Sequence, residues 1–224
     1  MTEEKHVYAF GGGSAEGTRD QKEVLGGKGA GLAEMSRLGI PVPPGFTLTT
    51  PACIHFLEHA GEYPPGFRQE VEEHLSGLEE QMGRKLGDPE DPLLLSVRSG
   101  AVVSMPGMMD TVLNLGLTRE MVERAETANP RFLRDCYRRL LSMYGDVVLG
   151  IRHEAFESVL KETRGEEGVD HDHELSVEAL DRVIDRYEEL IRETQGDPFP
   201  QDPEEQLWGA VDAVFESWNN RRAR

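Results

Sequence analysis

The hydrophobic pattern of this 224-residue chain changes character near residue 118, and that change limits its architecture more than any other feature. Before it, short apolar runs are separated by glycine and proline clusters, as where strands and helices alternate. After it, apolar residues recur at helical spacing almost without interruption as far as residue 195. The pattern predicts an α+β chain in three stretches. An α/β part covers about 1–117, a mostly helical part covers 118–198, and one helix in 199–224 returns to the first part.

Local signals place the elements. His6–Phe10 alternates as a strand, and Gly11–Gly17 reads as a loop. Gly26-Gly27-Lys28-Gly29 leads into a helix with Leu32, Met35 and Leu38 on one face and Gly39 at its end. Pro41, Pro43 and Pro44 enforce an extended turn, Gly45–Thr50 is a strand, and Pro51 opens a helix. Residues 66–85 form an acidic amphipathic helix. Leu93–Val97 is a buried strand that runs into Arg98-Ser99-Gly100, and Val112–Leu115 is another strand. Asn129-Pro130 starts a long helix, Gly196 closes a later one, and Asp202-Pro203-Glu204-Glu205 starts the last.

Charge narrows the partners. With 24 Lys+Arg against 42 Asp+Glu the formal charge is −18, which argues against a general nucleic-acid or anionic-membrane surface. An anionic ligand must instead be met by a local positive cluster. No apolar run approaches the roughly 20 residues of a bilayer span. The acidic start MTEEKHVYAF lacks the regions of a signal peptide. Cys53 and Cys136 stand far apart and outside any CxxC pair, so a reducing cytoplasm is the expectation.

Three places can carry chemistry. At Gly26–Gly29, glycines let backbone N–H groups approach phosphate oxygens, the helix start adds partial positive charge, and Lys28 adds a full one. It is not a P-loop, because Lys22 stands where that motif has glycine and Gly29 where it has Ser or Thr. The plainer alternative is a tight turn with a solvated lysine. Arg98 ends an apolar strand, so it is expected to face an interior or cleft, paired with a carboxylate or a phosphate. Ser99 and Gly100 can offer the same anion a hydroxyl and a close backbone approach. Met105, Met108 and Met109 around Pro106-Gly107 make either a core-lining loop or a lid or docking surface, with Asp110 beside them. Two metal-like groups, Asp170–Glu174 and the pair His55 and His59, read as structural, and no metal ligand is assigned.

Several runs carry a resemblance. Val24–Met35, Val42–Thr50, Leu95–Ala101, Ser104–Gly116, Met143–Val148 and Val214–Asn220 resemble, in order along the chain, the N-terminal nucleotide-binding region of pyruvate, phosphate dikinase. The resemblance implies an ATP-grasp type fold with ATP in a cleft and magnesium as its companion. It matches Lys28 and Arg98 to the residues that handle the phosphates, with Arg98 catalytic. Gly27, Gly29 and Ser99 join them in the expected binding set. The family converts ATP, phosphate and pyruvate to AMP, pyrophosphate and phosphoenolpyruvate through a phosphohistidine on a swivelling domain. This sequence departs from that pattern. The second ATP-grasp half with its metal ligands, the phosphohistidine domain and the pyruvate-binding barrel are expected to lie outside these 224 residues, and Arg221 stands where proline is usual. The expectation is an ATP-binding portion that shows no dikinase turnover alone. The alternative from another class is an interaction module that kept the fold without the catalysis.

Overall fold

A computed structural model describes residues 4–99, 111–124 and 129–218. The methionine loop with Asp110, Gly100 and Arg221 therefore lie outside the described residues. In chain order the elements are β1 (Val7–Gly11), β2 (Ser14–Ala15), α1 (Lys22–Arg37), β3 (Gly45–Leu48), α2 (Thr50–Glu58), α3 (Phe67–Met82), β4 (Leu95–Arg98), β5 (Thr111–Leu115), α4 (Arg119–Arg124), α5 (Pro130–Val147), α6 (His153–Glu167), α7 (Val177–Gln195) and α8 (Pro203–Ser217). The chain is α+β. All named strand pairs are antiparallel, and one isolated parallel bridge joins Lys85 and Pro92.

The chain forms two compact units. The described part of the first comprises 4–83, Ser99 and 214–218. Its sheet has the order β2-β1-β3, with Val7 opposite Leu48 and Phe10 opposite Gly45. The segment expected as a loop after β1 turns out to be a hairpin, with Gly11 opposite Ser14. Gly12 and Gly13 both have positive φ, 61° and 85°, which suits a two-residue turn matched to strand twist. Thr49 caps α2 by accepting the Ala52 N–H, and Pro51 sits in the first turn. Val7, Ala30, Ala33, Ala52, Phe56, Phe67 and Val71 are buried. The α8 residue Phe215 joins them, with ring centroids 5.5 Å from Phe56 and 6.0 Å from Phe67.

The second unit's described part comprises 84–98, 111–124 and 129–213. Its core is one apolar cluster built on Leu115, Tyr137, Leu140, Leu141, Phe156, Leu180, Val183, Ile184 and Tyr187. Caps set the helix limits as local chemistry dictates. Asn129 accepts the Phe132 N–H at 3.0 Å, and Gly196 takes φ 85° after α7. Asp202 accepts the Glu204 N–H at 2.8 Å at the start of α8. Among the described residues, no helix is long and apolar enough to cross a membrane.

Candidate functional site

The glycine-rich segment lies inside α1 rather than ahead of it. The helix begins one turn early at Lys22, with Leu25 buried, and is interrupted at Gly26. Gly26 has φ 69° and ψ 172°, a backbone region essentially closed to residues with a side chain. The helix resumes at Gly27, which puts Gly27, Lys28 and Gly29 in the first turn after the break, near the positive end of the dipole of the resumed helix. Gly29 has a packing reason as well. A Cβ there would lie 2.7 Å from Thr47 Cγ2 and 3.0 Å from its Oγ1, so the missing side chain lets α1 settle on β3. Gly31 has no such reason: nothing stands within 4 Å of where its Cβ would be.

Lys28 and Ser99, 71 residues apart, are brought together in the first unit. The Lys28 ammonium donates to the Ser99 carbonyl at 2.9 Å, and no carboxylate of a described residue forms an ion pair with it. Ser99 is 1% exposed, and its Oγ has no hydrogen-bond partner among the described residues. Arg98 is the last residue of β4, in the second unit. It is exposed, so of the two expected surroundings, an interior or a cleft, the structure does not give it the interior. The reason is the two-residue period of the strand. Leu95 and Val97 take the half-buried positions, which puts Ser96 and Arg98 on the other face.

Other polar groups explain themselves. The His55 and His59 rings stack at 3.9 Å, and His59 Nδ1 lies 2.9 Å from the His55 carbonyl. In Asp170–Glu174, the Glu174 carboxylate accepts the N–H groups of Asp170 and His171. Among the described residues no group of three His, Cys, Asp or Glu side chains is placed to hold a metal. Sequence reasoning missed a cleft of about 840 Å³ in the second unit, lined in part by Arg119, Glu188, Phe199 and Gln201. There Tyr137 donates to Glu188 at 2.8 Å and accepts from Gln201 Nε2 at 2.9 Å. Burial pushes the Glu188 carboxyl up, against the pull of Tyr137 and Arg119. These groups satisfy one another across more than 50 positions, a pairing no local motif announces.

The chain is similar to known proteins over nearly its whole length. The family "Pyruvate phosphate dikinase, AMP/ATP-binding domain" matches residues 22–62 and 63–224. A pyruvate, phosphate dikinase of Rhizobium meliloti (strain 1021) is 54% identical over 221 residues, covering 98% of this chain and 25% of the relative. The chloroplastic pyruvate, phosphate dikinase of Flaveria trinervia is 48% identical over 223 residues, covering 99% and 23%. Pyruvate, phosphate dikinase 2 of Zea mays is 48% identical over 221 residues, covering 98% and 25%. The chain thus spans about a quarter of the length of these relatives.

Proposed function

The chain belongs to the pyruvate phosphate dikinase family through its AMP/ATP-binding domain, and from that premise we propose that it holds ATP by its phosphates at the resumed start of α1. One observation carries this reading: the Lys28 ammonium, without a carboxylate partner among the described residues, donates to the carbonyl of Ser99, a residue whose buried hydroxyl has no hydrogen-bond partner among the described residues. Against a background charge of −18, these groups and the N–H groups of Gly27 and Gly29 supply the local positive site that a polyphosphate needs. Arg98, exposed and outside any ion pair of the described residues, is the proposed catalytic group. Its guanidinium stabilises charge on the phosphoryl group in transfer.

Magnesium is proposed as the nucleotide's companion, with its protein ligands supplied by the second ATP-grasp half. The buried cysteines Cys53 and Cys136, not joined by a disulfide, fit a reducing compartment such as the cytoplasm. In the full reaction the phosphoryl group would pass to a histidine on another domain, and pyruvate would be met elsewhere. The chain alone is therefore expected to form no phosphoenolpyruvate. Detectable product from the pure chain overturns that part.

Calorimetry tests the binding. A charge-assisted contact contributes about 1.5–3 kcal/mol, so Lys28→Met is expected to weaken ATP roughly 10- to 100-fold. Lys161→Met, far along the chain on α6, is expected to leave affinity unchanged. Equal affinity in the Lys28 variant and its parent refutes the site. Arg98→Ala separates two roles: unchanged affinity assigns the guanidinium to the transition state alone.

A further inference from the structure

We propose that the Ser99 hydroxyl is held in reserve as a phosphate donor, kept unpaired in the ligand-free chain at the expense of stability. The inference rests on the nucleotide reading above. A buried hydroxyl without a partner loses its bonds to water and gains none, a loss that folded proteins rarely tolerate. Ser99 is 1% exposed and its Oγ has no partner among the described residues, while its own carbonyl is engaged by Lys28 at 2.9 Å. The residue's backbone and side chain thus do different work. The carbonyl parks the ammonium when no anion is present. The hydroxyl has no such resting partner, and it sits on the residue that the phosphate-binding lysine touches. A phosphate oxygen drawn to Lys28 is an acceptor for that hydroxyl, and accepting its hydrogen bond satisfies a buried side-chain atom that has no partner among the described residues.

This arrangement separates folding from binding, so one substitution tests it. Ser99→Ala removes only the hydroxyl oxygen and leaves the carbonyl contact with Lys28 in place. Without ligand, the variant is expected to melt higher than its parent by about 2–4 °C. Its ATP affinity by calorimetry is expected to fall roughly ten-fold or more. Ser99→Cys, closer to serine in volume but a weak donor, is expected to lose ATP affinity similarly, and it serves if alanine disturbs the packing. A lower melting temperature in both variants means the hydroxyl is bonded in the fold, and unchanged ATP affinity in both means no phosphate uses it. Either result overturns the inference while parental ATP binding leaves the nucleotide reading standing. A parent chain that binds no ATP removes that reading itself, and this inference with it.

Discussion

Two glycines five residues apart in α1 are expected to respond in opposite directions to the same change. Gly26 has φ 69° and ψ 172°, where a side chain is strained whatever the space around it. Gly26→Ala is expected to destabilise the chain by about 1–3 kcal/mol in urea denaturation. Gly31 sits in regular helix with open space at its missing Cβ. Gly31→Ala is expected to stabilise by about 0.5–1 kcal/mol through the lost freedom of the unfolded chain. A stabilising Gly26→Ala contradicts the broken helix. Glu16 gives a pH prediction at the same scale. Burial raises its carboxyl, but hydrogen bonds from Lys5, the Ala9 N–H and His74 outweigh that and lower it from 4.5 to about 2. The folded state thus favours the ionised form. The resulting stability is present above about pH 4.5 and is lost as pH falls towards 2. The carboxylate is partly solvated, which keeps the effect modest. Glu16→Gln is expected to flatten this part of the acid titration of stability, and an unchanged slope would contradict the assignment.

Helix packing in the second unit depends on one missing methyl group. A Cβ at Gly145 of α5 would lie 2.3 Å from Phe156 Cζ. The ring has little room to yield, because Tyr187 packs edge-on against it at 5.0 Å and donates to the Phe156 carbonyl. Gly145→Ala is expected to cost about 1–3 kcal/mol by calorimetric melting. Gln206 of α8 is the polar counterpart. Fully buried, it accepts the Gly116 N–H and donates to the carbonyls of Leu117 and Pro200, each at 2.9 Å. Gln206→Leu strands these groups and is expected to cost about 3 kcal/mol or more. A loss below 1 kcal/mol would mean water replaces the amide. The helices themselves were legible, because caps such as Asn129 and stops such as Gly196 act within a few residues. Gln206 was not, because its partner Gly116 lies 90 positions away.

At the scale of the whole molecule, the first unit is completed by residues from the far end of the chain. Phe215 packs with Phe56, Tyr63 and Phe67, and Cys53 Sγ lies 3.8 Å from its carbonyl. Phe215→Ala is expected to remove about 3–5 kcal/mol from that core. Hydrogen exchange should then rise in β1, α2 and α3 while α5 and α7 keep their protection. A uniform rise would show that the units unfold as one. The charge of −18 also takes on meaning here. Several helix arginines are already paired with carboxylates, as in Arg134 with Asp181 and Arg138 with Asp135, whereas Lys28 has no such ion pair among the described residues.

By itself the sequence determined the α+β class, the helix caps and the family to which the chain belongs, and it pointed to Lys28 in the glycine-rich segment as the proposed anion contact. Each of these is carried by neighbours in sequence, where backbone preference and side-chain spacing act directly. Only the tertiary structure decided that Gly26 breaks a helix already begun, that Arg98 faces outward, and that Lys28 rests on Ser99. A break inside a helix depends on the turn before it burying Leu25. An arginine's face depends on which alternate residues the core claims. An unpaired hydroxyl becomes visible only when folding has buried it, and the Lys28 contact with the Ser99 carbonyl only when residues 71 positions apart have met.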